Sequence, residues 1–237
     1  MEIVLNTLKS NDISLNKEDH VYILKSDPTI NFTSVTTFID PFFEKFDSHK
    51  IATKLIEKYP KYADHTIEGL KQEWKDAAQH GTDVHEEIEN WIKEKIIPSE
   101  DKAKYGLRWL HEYKKKSKIE IISEVMLYSK ELKISGTVDI LALNNYTGKY
   151  DIIDWKTSKK ITKRSFNNKM GTKSPTKNIM DCNFSHYSLQ LSLYRYILER
   201  YYGLEIENQY IVHLKEDAAR AILTPYLKEN IIRMLNH

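Results

Sequence analysis

Ile134-Ser-Gly-Thr-Val-Asp139-Ile-Leu-Ala-Leu143 and Tyr150-Asp-Ile-Ile-Asp154-Trp-Lys156-Thr-Ser158 read as two β-strands, each with charge set among apolar residues. Glu124, Asp139 and Asp154 are spaced fifteen residues apart, twice. Turns centred near 131–132 and 146–147 put Glu124 opposite Asp139 and Asp139 opposite Asp154. Cross-strand neighbours lie ~5 Å apart, so three carboxylates form a row that repels itself. Lys156 follows Asp154 by two residues and shares its face. One lysine does not balance three carboxylates, whereas a divalent cation does. Taken singly, each acid reads as part of a solvated strand face. The spaced set with Asp-X-Lys reads as a site.

The chain has 237 residues, enough for a sizeable core in one domain. At 41% hydrophobic and 30% charged it reads as a soluble globular protein. No apolar run approaches the ~20 residues of a membrane helix. The first residues resemble neither a signal peptide nor a transit peptide, so an intracellular setting is expected. A single cysteine, Cys182, rules out an internal disulfide framework or a cysteine-rich metal cluster. A metal would therefore take oxygen and histidine ligands, which suits Mg²⁺ or Mn²⁺.

The net charge is +2, yet residues 156–180 hold eight cations and no acid. Besides Lys156 these are Lys159, Lys160, Lys163, Arg164, Lys169, Lys173 and Lys177. A basic loop on an otherwise acidic body suggests that a polyanion docks there. Lys114–Lys116 lie at a helix end, where the helix dipole accounts for them. The 30 lysines against 6 arginines suggest AT-rich coding DNA, as in some viruses.

Outward from the two strands, 1–18 reads as a loose arm. His20–Leu24 and Ile30–Phe32 read as a hairpin about Ser26-Asp-Pro28. Thr33 or Ser34 caps a short helix that Pro41 ends. Helices follow over 48–59, over 66–97 with Leu70, Trp74, Ala77 and Ala78 on one apolar face, an interruption at Gly81 and a second stripe of Val84, Ile88, Trp91 and Ile92, and from an N-cap at Ser99 to Lys116. Ile119–Tyr128, Leu132–Leu143 and Lys149–Trp155 form a three-strand meander. A helix over 185–202, strands Ile206–Leu214 and Ala219–Leu223, and a helix over 225–236 complete the chain. This order predicts a mixed α/β (α+β) fold. His85 borders the apolar stripe of its helix, which ordinarily marks a packed histidine. Tyr187, Gln190, Leu191 and Tyr194 form another stripe, in which Gln190 needs polar partners.

His85, Glu124, Gly136-Thr-Val-Asp139, Asp154-Trp-Lys156 and Gln190-Leu-Ser-Leu-Tyr194 together resemble the PD-(D/E)XK nucleases, in particular their RecB-like branch. The likeness extends to the mitochondrial genome-maintenance exonuclease group and its phage and viral counterparts. Ser34-Val-Thr-Thr37 and Gly81-Thr-Asp-Val-His85 fit that subgroup. The resemblance spans about residues 30–200. It implies a restriction-endonuclease-like core with a central mixed sheet flanked by helices.

The resemblance further implies that Asp139 and Asp154 hold Mg²⁺ or Mn²⁺ with His85 and the Trp155 carbonyl. Lys156 would serve the attacking water or the phosphate, Glu124 a second metal or its water shell, and Gln190 and Tyr194 the positioning of the site. The basic loop 159–177 would grip the backbone. The implied activity is a metal-dependent DNA nuclease, an exonuclease on single-stranded or frayed DNA in replication, repair or recombination. The implied partners are DNA and replication or recombination proteins, with no membrane. A structure-specific endonuclease of the same fold and a non-catalytic nucleic-acid-binding module are the alternatives. The single cysteine excludes the iron–sulfur branch, and no Walker A sequence occurs. The chain is expected to form one nuclease domain, with 1–18 as the arm, 19–117 as a mostly helical region carrying His85, and 118–237 as the catalytic core.

Overall fold

The computed structural model describes residues 12–237 apart from 18 and 116. Strands β1 (Ile13–Asn16) and β2 (Val21–Leu24) pair antiparallel. β3 (Thr33–Ser34) leads into α1 (Val35–Ile39). Ser34 caps that helix by accepting from the Thr37 N–H at 3.2 Å. Pro41 sits in the 3₁₀ turn Asp40–Phe42 that ends it. Helices α2 (Ser48–Lys58), α3 (Ile67–Glu94) and α4 (Asp101–Lys115) follow. The meander is β4 (Ile119–Ser129), β5 (Ile134–Asn144) and β6 (Tyr150–Lys156). Helix α5 (Asn183–Tyr201), strands β7 (Ile206–Leu214) and β8 (Ala219–Leu223), and α6 (Lys228–Leu235) close the chain.

These elements build a mixed α/β fold whose central mixed sheet is flanked by helices. β5 pairs antiparallel with β4 and β6, β6 runs parallel to β7, and β8 closes that edge antiparallel. On one face, α1, α5 and α6 cover Val138, Leu141, Leu143 and Ile152. On the other, α3 and α4 cover Ile140, Ala142, Ile153 and Trp155. Burial on both faces explains the adjacent isoleucines 152 and 153 in β6. A third apolar cluster seats the β1–β2 hairpin against Met126 and Tyr128 of β4.

The structure corrects four local expectations. β2 pairs with β1 and not with Ile30–Phe32, so 13–16 is ordered strand rather than loose arm; residues 1–11 and 18 lie outside the described chain. α3 runs unbroken through Gly81. A Cβ there would lie 2.8 Å from Thr157 Oγ1, so the glycine serves close approach to the end of β6 and not a break. Ala77 and Ala78 are exposed, so the apolar stripe of α3 is buried only around Leu70 and again from Val84. Ser99 does not cap α4: its hydroxyl donates to Glu87, which also accepts the Glu100 N–H at 2.8 Å.

Candidate active site

The turn centres expected from the sequence agree with the observed ladders. Ser123 pairs with Ile140 and Val125 with Val138, leaving Glu124 facing Asp139. On the other side, β5 and β6 stay paired only to Ile140 and Ile153. Beyond that point the strands part. β3 pairs with Ile134 and Ser135, further along the same edge of β5. The stretch 136–139 therefore faces a gap in the sheet. Asp139 fills its near end, accepting the Trp155 N–H on Oδ2 at 2.8 Å.

β4 is distorted at the same level. Val125 and Val138 belong to the α5-side core, yet Ile140, two residues on, belongs to the α3–α4 core. Two residues along a regular strand return to one face, so the ladder exchanges faces between these pairs. Glu124 sits at the exchange with φ of +49°, in the left-handed region that a non-glycine residue rarely occupies.

Seven side chains meet around the gap. His85 Nδ1 on α3 is 3.4 Å from Asp139 Oδ2. Lys156 Nζ is 2.7 Å from Asp154 Oδ2, and it donates to Gln190 Oε1 on α5 at 3.3 Å. Gln190 Nε2 donates to the Tyr194 hydroxyl at 3.3 Å. Lys156 also lies 4.7 Å from the centre of the Tyr187 ring. Asp154 is 2% exposed, and its Oδ2 has no hydrogen bond. Its one close partner there, among the described residues, is the Lys156 ammonium, an ion pair at 2.7 Å. Asp151, three residues earlier on the same strand, contrasts sharply. It accepts from Tyr113 Oη at 2.6 Å and from the Asn208 backbone and side-chain N–H groups, both at 3.0 Å. Asp151 is a satisfied structural carboxylate, and Asp154 is not.

Charge is finely shared here. Burial pushes the Asp154 carboxyl up, Asp139 adds to this and Lys156 opposes it, leaving it at about 6. Burial, with the charges of Asp139 and Glu89, pushes Glu124 to about 8. Burial also penalises the Asp139 carboxylate, but His85, Lys156 and the Trp155 N–H outweigh it and hold its pKa below the usual value. His85 and Lys156 are disfavoured as cations by burial, yet their carboxylate neighbours raise both pKa values. Burial raises Tyr194 well above the phenol range, so it stays a hydroxyl.

The groups open into a cavity of about 530 Å³ that also exposes Glu124, Glu86 and Glu89. Tyr22 from the β1–β2 hairpin lines it and bonds Thr137 Oγ1 at 3.0 Å. Gly136 lets Tyr194 pack against β5, since a Cβ would lie 2.5 Å from Tyr194 Cε1. Among the described residues, no three His, Cys, Asp or Glu side chains already converge as a metal cage. His85, Asp139 and Asp154 instead stand in ion-paired contacts. Their chemistry still suits a hard divalent cation: two carboxylates and an imidazole, with one buried carboxylate oxygen lacking a hydrogen bond.

The structure thus brings together His85, Glu124, Asp139, Asp154, Lys156, Gln190 and Tyr194. Trp155 contributes main chain beside Asp139, while its ring is buried in the α3–α4 core. Lys159, Lys160, Lys163, Arg164 and Lys177 are exposed along the basic loop. Lys169 is ion-paired with Glu44, and Lys173 lies 4.9 Å from the Phe42 ring centre. Sequence reasoning missed Glu89, Tyr22 and the contact of Tyr187 with Lys156. Glu89 had a signal, since it stands one helical turn after His85.

A solved structure described as "Crystal structure of SSO0001" is similar over 99% of this chain and 82% of its own, with 16% identity and a TM-score of 0.41. No curated protein matches. The family model of the PD-(D/E)XK nuclease superfamily matches residues 46–223, which include all seven site residues. With three quarters of its length under that match, the chain belongs to the PD-(D/E)XK nuclease superfamily.

Proposed function

We propose that the protein is a metal-dependent deoxyribonuclease of the RecB-like branch, akin to the mitochondrial genome-maintenance exonuclease and its phage and viral relatives. It removes nucleotides from single-stranded or frayed DNA ends in replication, repair or recombination. The observation that carries the reading is Asp154: a buried carboxylate, one oxygen lacking a hydrogen bond, beside Asp139 and Lys156 at the floor of an open cavity. Nucleases of this superfamily typically use divalent metal ions. Asp139, Asp154, His85 and the Trp155 carbonyl are the groups that would hold one, Mg²⁺ or Mn²⁺. Bound there, the ion would acidify a water and polarise the phosphate.

The remaining roles belong to the chain itself. Asp139 is held in position by the Trp155 N–H and is ionised at neutral pH. Asp154 titrates near 6 and must lose its proton to act as a ligand. Lys156 remains an ammonium and stabilises charge growing on the phosphoryl oxygens. Gln190 holds the lysine by accepting a hydrogen bond from its ammonium, and the Tyr194 hydroxyl in turn accepts from Gln190. Glu124 serves a second cation or the water shell. Lys159, Lys160, Lys163, Arg164 and Lys177 bind the phosphate backbone, with Lys169 and Lys173 joining if their contacts to Glu44 and Phe42 open.

The test is digestion of 5′- and 3′-labelled single- and double-stranded DNA with Mg²⁺, Mn²⁺ or chelator. Stepwise shortening that Asp154→Asn abolishes is expected, with circular single strands left intact. Equal survival of DNA with the wild type and with Asp154→Asn refutes catalysis. Cleavage of the circle refutes the exonuclease assignment alone.

A further inference from the structure

A second groove, of about 900 Å³, lies between α2 and the basic loop. Two aromatic side chains that a folding argument would bury are left in water at this place. Phe46, at the entrance to α2, is 64% exposed, and Phe166, in the basic loop, is 57% exposed. Neither is loose. Trp74 of α3 meets the Phe46 ring edge-on at 5.6 Å between centres. Phe166 does not line the groove itself, but Lys54 Nζ of α2, which does, lies 4.7 Å from the Phe166 ring centre and so holds that ring at the groove's edge.

The charges in the groove divide unequally. Its acids are engaged: Glu44 pairs with Lys169, Asp47 caps α2 by accepting the Lys50 N–H at 3.0 Å, and Asp181 pairs with His186 Nε2 at 2.8 Å. Lys45 and Lys50 are exposed and form no ion pair among the described residues. Held aromatic faces beside available ammonium groups match unpaired bases and their phosphates. A duplex keeps its base faces stacked within itself and has none to offer.

The groove also lies one to two helical turns from the active site. On α5, His186 lines the groove and Gln190, one turn later, lines the catalytic cavity. On α3, Trp74 backs Phe46, and Gly81, two turns later, lines the same cavity. Two turns are about 11 Å of helix, within reach of a strand whose scissile phosphate sits at Asp154.

We propose that this groove is a track for single-stranded nucleic acid, with Phe46 and Phe166 as stacking platforms for two of its bases and Lys45, Lys50 and Lys54 as phosphate contacts. The inference rests on the nuclease reading, including its single-stranded substrate, and adds the route that strand takes and the residues that select it. It makes single-strand preference a property of surface residues remote from the metal ligands.

The experiment is fluorescence anisotropy with labelled oligothymidylate and a labelled duplex, in chelator so that nothing is cut. Phe46→Ala and Phe166→Ala each raise the single-strand Kd by roughly 5- to 100-fold, and duplex binding stays unchanged. Phe166→Trp restores single-strand binding, which simple loss of fold would not allow. Both phenylalanines are exposed, so unchanged circular dichroism is expected of every variant. A double alanine variant whose single-strand Kd stays within twofold of wild type overturns the track. If that variant is unaffected while the wild type still cleaves DNA in Mg²⁺, the nuclease reading survives and only the track falls. A wild type that neither binds nor cleaves single strands removes both.

Discussion

Glu124 offers a test of the site that needs no substrate. Its carboxyl titrates at about 8 in the fold against 4.5 for the free group, driven first by burial and then by Asp139 and Glu89. Below about pH 4.5 the group is protonated both folded and unfolded, and it has no effect on the balance. As pH rises further, the unfolded chain gives up this proton and the folded chain keeps it, so stability falls. The loss is complete above the folded pKa, where it is about 5 kcal/mol.

Glu124→Gln keeps the shape and removes the charge. An amide in the same place forgoes some hydration, costing about 1 kcal/mol. A net gain of about 4 kcal/mol is expected at about pH 9, or roughly 8–16 °C in Tm for a chain of this size. The measurement is thermal unfolding by circular dichroism in chelator at about pH 4.5 and pH 9. The gain should vanish or slightly reverse at the lower pH, and excess Mg²⁺ should shrink it at the higher one. An equal Tm for variant and wild type at the higher pH, or one offset at both, refutes the account of a carboxylate held against its neighbours' charge.

Three further outcomes follow from the geometry. Lys156→Ala should lower turnover about 10²–10³-fold with single-strand binding retained, measured by single-turnover cleavage beside anisotropy in chelator. Gly136→Ala puts a methyl group 2.5 Å from Tyr194 Cε1, so the ring must leave Gln190. That should cost about 1–3 kcal/mol in denaturant unfolding as well as activity, and Tyr194→Leu in the same chain should recover the stability but not the activity. Alanine at Lys159, Lys160, Lys163 or Arg164 should each reduce the slope of log binding constant against log salt by about 1 if that side chain contacts phosphate.

Local pattern made some of this fold legible and could not reach the rest. The two turn centres set the register of the meander, but pairing of β5 with β6 stops at Ile140 and Ile153, one residue short of the expected Asp139–Asp154 pair. Ser34 was one of two readable cap candidates and does accept the Thr37 N–H, whereas Ser99, read the same way, turns its hydroxyl to Glu87 instead. Gly81 misled for the opposite reason. Glycine weakens a helix interior, and only the neighbouring chain at Thr157 shows why it is there. The partner of β2 was misassigned because four-residue strands carry too little pattern to choose between neighbours on either side. His85 could be placed on its helix but not near Asp139, since that contact depends on how α3 crosses the sheet. The exposure of Phe46 and Phe166 is equally invisible in sequence, where each resembles any other core aromatic.

The gap between β5 and β6 accounts for the choice of residues better than the acidic row alone. By strand alternation Asp154 and Lys156 fall on the α5 side of β6, and Gln190 of α5 indeed contacts Lys156. His85 comes from α3, which packs on the opposite face. A continuous ladder would separate these groups by the thickness of the sheet. Pairing that ends at Ile140 and Ile153 leaves an opening, and Asp139 lies in it, touching both His85 and the Trp155 N–H. The face exchange at Glu124 and Asp139 occurs beside the same opening, at the one positive φ among the described strand residues. Broken ladder, strained backbone and a carboxylate oxygen without a hydrogen bond thus coincide within a few residues. Each is costly by itself, and a fold that concentrates all three at one place is maintaining a site rather than a core.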